Sequence, residues 1–169
     1  MWTYQGQKRP DFAVVPGSGQ ESVWDYPRPP IAKRSNRSVE VRDKGNIIAR
    51  TDSSYRLMET ASPPTFYIPP DDISWELLVE AEGNSVCEWK GAARYWALAG
   101  ETRLPIAWDY QRPRTRFDVL KNHVSFYPGR IECYVDGERV RPQPGRFYGG
   151  WITDDVVGPF KGEPGTGHW

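Results

Sequence analysis

Cys87-Glu-Trp89-Lys90-Gly-Ala-Ala-Arg-Tyr95-Trp96, followed across a glycine turn by Ala107-Trp108-Asp109-Tyr110, is the stretch on which the fold turns. Three tryptophans, two tyrosines, one thiol and one lysine fall within its 24 residues. Arg94-Tyr-Trp-Ala-Leu reads as a strand that turns at Ala99-Gly100-Glu101. So much aromatic surface beside polar groups either lines a ligand cage or fills the core of a small β-domain.

Outward from this stretch, proline and glycine divide the chain into three parts. Residues 1–38 form an arm with Pro10, Pro16, Pro27, Pro29 and Pro30 and a basic end, Lys33-Arg34-Ser-Asn-Arg37. That density of proline excludes a regular helix or a central strand. Residues 39–140 read as the folded core. Residues 141–169 carry seven glycines and four prolines, so they read as extended chain. They also carry Phe147, Tyr148, Trp151, Phe160 and Trp169, anchors that a free tail would lack, so the tail is expected to dock on the core.

Within the core, Val39-Glu-Val-Arg and Asn46-Ile-Ile-Ala-Arg flank Asp43-Lys44-Gly45 and predict a hairpin. Tyr55-Arg-Leu-Met-Glu-Thr and Thr65-Phe-Tyr-Ile read as further strands, separated by Pro63-Pro64. Asp71-Asp72 reads as the cap of a short helix from Ile73 to about Glu80, with Ile73, Leu77 and Leu78 at helical spacing. Val124-Ser-Phe-Tyr127 and Arg130-Ile-Glu-Cys-Tyr-Val135 read as strands, the second ending at the Asp136-Gly137 turn. Short strands with one brief helix predict a mainly β, antiparallel domain. Trp24-Asp-Tyr-Pro-Arg-Pro recurs as Trp108-Asp-Tyr-Gln-Arg-Pro, which suggests two copies of one turn that buries a tryptophan.

Composition narrows the function. Lys+Arg and Asp+Glu both total 22, and the absence of a basic excess argues against a dedicated nucleic-acid binder. Mean hydropathy is −0.70 while aromatics make up 14%, so the core is expected to be built from rings. Cys87 and Cys133 form no close pair, which excludes a four-cysteine zinc site. The N-terminus has no apolar signal region and no stretch approaches the ~20 apolar residues of a membrane span. The expectation is a soluble cytoplasmic protein with reduced thiols, no membrane contact and no cofactor.

Two sets of residues carry chemistry. Cys87, Lys90 and His123 are the catalytic candidates, because a thiol needs a nearby cation or base to become thiolate. A cysteine before a tryptophan is more often a small buried hydrophobe. Trp89, Tyr95, Trp96, Trp108, Tyr110 and Tyr127 are the ligand-binding candidates, since ring faces suit flat or cationic groups. Spacing alone does not show that Trp89 and Trp96 converge, and core filling is as good a reading of the set. Arg112, Arg114 and Arg116 alternate, which would align them for a phosphate or carboxylate in an extended segment, though a solvated loop is the plainer reading. Gly158-Pro-Phe-Lys-Gly-Glu-Pro-Gly lacks the order of a phosphate loop. Asp71-Asp72 and Asp154-Asp155 read as caps or turn formers, so no metal site is expected.

Through Cys87-Glu-Trp-Lys-Gly-Ala-Ala-Arg-Tyr-Trp96, Ala107-Trp-Asp-Tyr110 and His123-Val-Ser-Phe-Tyr-Pro128, the chain resembles domain-of-unknown-function family 427, over roughly Val39 to Val140. The arm and the tail resemble its longer bacterial members. The resemblance implies a β-tent, two antiparallel sheets meeting at an angle. Other β-tent proteins often hold zinc on two cysteine pairs, which this chain lacks, and the ligand domain of cereblon uses a tryptophan cage. The family's nucleotidyltransferase label finds no paired catalytic aspartates here. The expected function is small-molecule binding in an aromatic pocket, with or without catalysis. The alternatives are an interaction module whose arm and tail dock a partner or a second copy as a homodimer, and, more weakly, a metal or redox enzyme.

Overall fold

A computed structural model describes residues 1–169 and shows a mainly β chain. Its strands are β1 (Glu21–Ser22), β2 (Ile31–Ser35), β3 (Val39–Asp43), β4 (Asn46–Thr51), β5 (Ser54–Met58), β6 (Thr65–Tyr67), β7 (Leu78–Cys87), β8 (Gly91–Leu98), β9 (Glu101–Asp109), β10 (Val124–Phe126), β11 (Glu132–Val135), β12 (Glu138–Arg139), β13 (Arg141–Pro142), β14 (Trp151–Ile152) and β15 (Val156–Val157). Two four-stranded antiparallel sheets, ordered β10-β9-β8-β7 and β12-β11-β3-β4, form the body. A third sheet, β2-β5-β6, joins the first through a bridge between Ile68 and Val124. No helix is long and apolar enough to cross a membrane.

The β3–β4 hairpin forms where the sequence places it. Lys44 and Gly45 both take positive φ, 48° and 85°, the combination that matches the twist of paired strands. Ile73 to Glu80 does not form a regular helix. Trp75–Leu77 makes one 3-10 turn, and β7 begins at Leu78. Ile73 and Leu78 both reach the core, but from extended backbone, so their helix-like spacing is coincidental. The longest helical segment is instead the 3-10 stretch Thr115–Leu120. Arg112 and Arg114 are exposed residues of the loop before it and Arg116 is exposed within it, so the three do not form one face of a strand.

The main core draws on both large sheets, with Val39, Val41, Ile48, Phe66, Ile106, Val124, Phe126, Cys133 and Val135 all buried. Burial pushes the Cys133 thiol well above its ordinary pKa. Trp151 of the tail enters this same core, and β14 pairs with β13. The arm is equally committed. Its last part is β2, which pairs with β5 over five positions from Ile31↔Met58 to Ser35↔Ser54. β1 runs parallel to β15, and Trp24 is buried in a smaller cluster with Val23, Tyr26, Met58, Ala61 and Val156.

The repeated Trp-Asp-Tyr motif does not repeat a structure. Trp24 lies in a 3-10 turn, and its neighbour Asp25 is a surface residue paired with Arg9. Trp108 lies in β9, and its neighbour Asp109 is fully buried and paired with Arg94.

Candidate functional site

Strand alternation sorts the aromatic residues onto two faces. Tyr95 of β8 stands opposite Trp108 of β9, so the two share a face, together with Ala93. Tyr110, just beyond β9, continues that face, and Cys87 lies opposite Gly91 where the β7–β8 hairpin closes. One cluster then gathers buried Tyr67, Trp108 and Tyr110 with half-buried Cys87, Trp89, Tyr95 and Tyr127. Trp96 is one residue out of phase and faces the other way. It packs on Trp75, with ring centroids 4.8 Å apart, beneath the Arg94 guanidinium and against the main core. Of the three tryptophans, Trp89 and Trp108 belong to this cluster and Trp96 does not.

The loop Glu88-Trp89-Lys90 is held in place by its neighbours. The Arg114 N–H donates to the Lys90 carbonyl at 2.9 Å, and Gly91 takes a positive φ close against the backbone of Arg112. This presents the Lys90 ammonium to the Tyr110 ring at 5.7 Å. The floor beneath is ordered by the Trp108 indole N–H donating to the Tyr67 hydroxyl at 3.1 Å and by Ser85 and Tyr95 sharing a 2.6 Å hydrogen bond. Trp108 also stacks obliquely on Tyr127 at 4.6 Å. The tail rests on this pair. A Cβ on Gly149 would come within 2.4 Å of the Trp108 ring, so only glycine permits the approach.

Burial works to lower the Lys90 pKa, but Tyr67, Cys87 and Glu59, together with a hydrogen bond to Cys87, outweigh it. The result lies above the ordinary lysine value, so Lys90 is an ammonium at neutral pH: a point charge, not an amine base. Burial raises Tyr110 and Tyr127 as well, and neighbouring phenols add to the effect. Both keep their protons and serve as donors or as neutral ring surface. The arrangement offers one cation, several phenol groups, a thiol and flat ring faces. That is suited to holding a group, and it supplies no neutral amine.

His123 stands apart. Its Nδ1 meets the Lys121 carbonyl at 3.0 Å and its ring lies edge-on to Tyr55 at 5.5 Å. None of these contacts is with Cys87 or Lys90. Tyr67 and Tyr55 entered the cluster from β6 and β5, segments read from sequence as strands only. The signal was available, because Phe66 and Tyr67 must face opposite sides of β6 and Phe66 belongs to the main core. Two cavities lie elsewhere. One of about 950 Å³ is bordered by Lys33, Arg34, Arg37, Arg56 and Asp155, and one of about 260 Å³ by Ile48, Leu77 and Leu98. Neither is lined by the aromatic set. No group of three or more His, Cys, Asp or Glu side chains is placed to hold a metal ion.

The two cysteines differ sharply in environment. Cys87 is half-exposed beside Lys90, whereas Cys133 is fully buried with a raised pKa. Iodoacetamide on the native chain is expected to label Cys87 and leave Cys133 unmodified until unfolding. Peptide mass mapping that finds native labelling at Cys133 would contradict this placement.

No curated protein matches the sequence. The sequence profile of one family, described as Domain of unknown function (DUF427) and labelled NTP_transf_9, matches residues 31–137. That range begins at β2 and ends in the turn after β11, so it takes in both large sheets except the edge strand β12, together with the aromatic cluster. The match covers well over half of the chain, and the chain belongs to the DUF427 family.

Proposed function

We propose that this domain binds a small molecule on the aromatic floor around Lys90, and that the ligand is flat and carries an oxyanion. The observation that carries this reading is the state of Lys90. Its ammonium takes part in none of the ten ion pairs of the chain, yet it is half-buried against rings and a thiol. A charge held in that way without a carboxylate is matched by a ligand that brings one. Trp89, Tyr95 and Tyr127 supply half-buried faces for stacking, Trp108 and Tyr110 the base, and Cys87 is the reactive group nearest the ammonium.

Anilinonaphthalene sulfonate, a flat aromatic anion, is a suitable probe. The native chain is expected to bind it with a rise in dye emission. Lys90→Met and Trp89→Ala are each expected to weaken binding by about tenfold, the scale of one charge-assisted contact or one aromatic stack. Trp96→Phe, on the opposite face, is expected to leave affinity unchanged. Equal affinity in the native, Lys90→Met and Trp89→Ala chains would refute the site.

A further inference from the structure

The basic end of the arm, Lys33-Arg34-Ser-Asn-Arg37, forms one wall of the cavity of about 950 Å³. The other walls come from the arm at Glu21, the β4–β5 turn at Asp52, β5 at Arg56 and the tail at Asp155. Met58 is the one hydrophobic residue that lines it, so an apolar ligand would bury almost no apolar surface there.

The pairing of β2 with β5 decides which side chains face the cavity. Ile31↔Met58, Lys33↔Arg56 and Ser35↔Ser54 are rungs of one face. Ala32, Tyr55 and Leu57 turn to the other face, toward the aromatic floor, and the Arg34 guanidinium lies over the Tyr55 ring there at 5.5 Å. Lys33 and Arg56 thus stand opposite each other across the ladder, and like charges so placed destabilise a sheet. Arg56 is only partly answered. Its Nη2 donates to Glu21 and, at 3.0 Å, to the Tyr26 hydroxyl. Its Nη1 has the Met58 thioether, a weak acceptor, at 3.3 Å, and its Nε has no partner. Lys33 takes part in none of the ten ion pairs of the chain.

The carboxylates are unequal too. Glu21 is held by Arg56, and Arg37 holds Asp155 at 2.6 Å and Asp136 at 2.8 Å. Asp52 takes part in no ion pair, and its carboxylate accepts from the Ser53 hydroxyl at 3.3 Å. Asp52 and the exposed Asn36 both lie beyond the Ser35↔Ser54 rung, which is about 7 Å along the ladder from Lys33↔Arg56. The cavity therefore presents a free cation at one end and a free carboxylate at the other.

We propose that this cavity binds a phosphate ester of a small polyhydroxylated molecule, such as a sugar phosphate. The phosphate takes the Lys33 ammonium and draws the Arg56 Nη1–H away from the thioether. The hydroxyl groups, one sugar ring further on, donate to the Asp52 carboxylate and meet the Asn36 amide. A bare anion would leave Asp52 unused, and an uncharged sugar would leave Lys33 unused. The sheet β2-β5-β6 stands between this cavity and the Lys90 floor, and neither reading depends on the other.

The test uses the full chain with ribose 5-phosphate, and with ribose and inorganic phosphate as its separate parts, all at matched ionic strength in sodium chloride. Calorimetry gives the affinities and thermal unfolding gives an independent readout. Ribose 5-phosphate is expected to bind about tenfold more tightly than inorganic phosphate, and ribose alone more weakly still. Lys33→Met is expected to weaken binding of ribose 5-phosphate by about tenfold, and Lys33→Arg is expected to retain it. Lys33 is exposed, so its replacement is expected to leave the unliganded chain as stable as before, which unfolding without ligand checks. Asp52→Ala is expected to remove the advantage of the ester over inorganic phosphate. Arg34→Met, on the opposite face, and Lys90→Met are expected to leave affinity within about twofold of native. Ribose 5-phosphate that binds no more tightly than inorganic phosphate would overturn the proposal, as would affinity that survives Lys33→Met, or thermal stability that rises no more with the ester than with chloride.

Discussion

Trp151→Ala is expected to lower the free energy of unfolding by about 3–5 kcal/mol, the range for deleting a buried aromatic ring from a packed core. Trp151 lies beyond residue 137, where the family match ends, in the glycine- and proline-rich tail. It is nevertheless fully buried in the main core, tilted against Phe66 at a centroid distance of 5.3 Å. Its indole N–H donates to the Phe126 carbonyl at 2.9 Å, and its backbone N–H to the Pro64 carbonyl at 2.8 Å. Truncation to alanine leaves a void and an unsatisfied carbonyl on β10. Urea unfolding followed by far-ultraviolet circular dichroism measures the effect. A loss below about 1 kcal/mol would mean that the tail lies on the fold without being part of it.

Arg94→Met is expected to cost a similar amount, about 3–5 kcal/mol, for an electrostatic reason. The Asp109 side chain is 1% exposed, and Arg94 meets both of its oxygens, at 3.1 and 2.7 Å. That hydrogen bond, opposed in part by burial, raises the Arg94 pKa above its ordinary value. Methionine keeps most of the Arg94 stem over Trp96 but strands a carboxylate in the interior. Adding Asp109→Asn removes the stranded charge, so the double variant is expected to recover more than half of the loss. A double variant no more stable than Arg94→Met would show that the lost stability came from packing on Trp96 and not from the charge.

Sequence periodicity revealed the fold class because its clearest elements are local. The Lys44-Gly45 turn and the runs on either side suffice for the β3–β4 hairpin. β7 was hidden because Ile73, Leu77 and Leu78 mimic a helical stripe, and because its outer half, with Gly83 and Asn84 at a register shift, is too polar to look like a strand. β9 was hidden by Pro105, which sits where its pairing with β8 slips. At the candidate site, the aromatic composition was visible but the facing was not. Separating Trp96 from Trp108 requires the register that aligns Tyr95 with Trp108, and no single strand contains that information. The side chains of Arg28 and Lys161 meet on the Trp2 ring, at 4.2 and 4.1 Å from its centre, and no local reading could have joined them, since they come from opposite ends of the chain.

Those opposite ends also touch directly, through β1 beside β15 and Thr3 bonded to His168. Such contacts close a loop of nearly the whole polypeptide, and the entropy of that closure is recovered only once the intervening sheets have shortened the path. The clasp is therefore expected to assemble late, after the sheets it spans, and hydrogen exchange is expected to show it opening before the central strands.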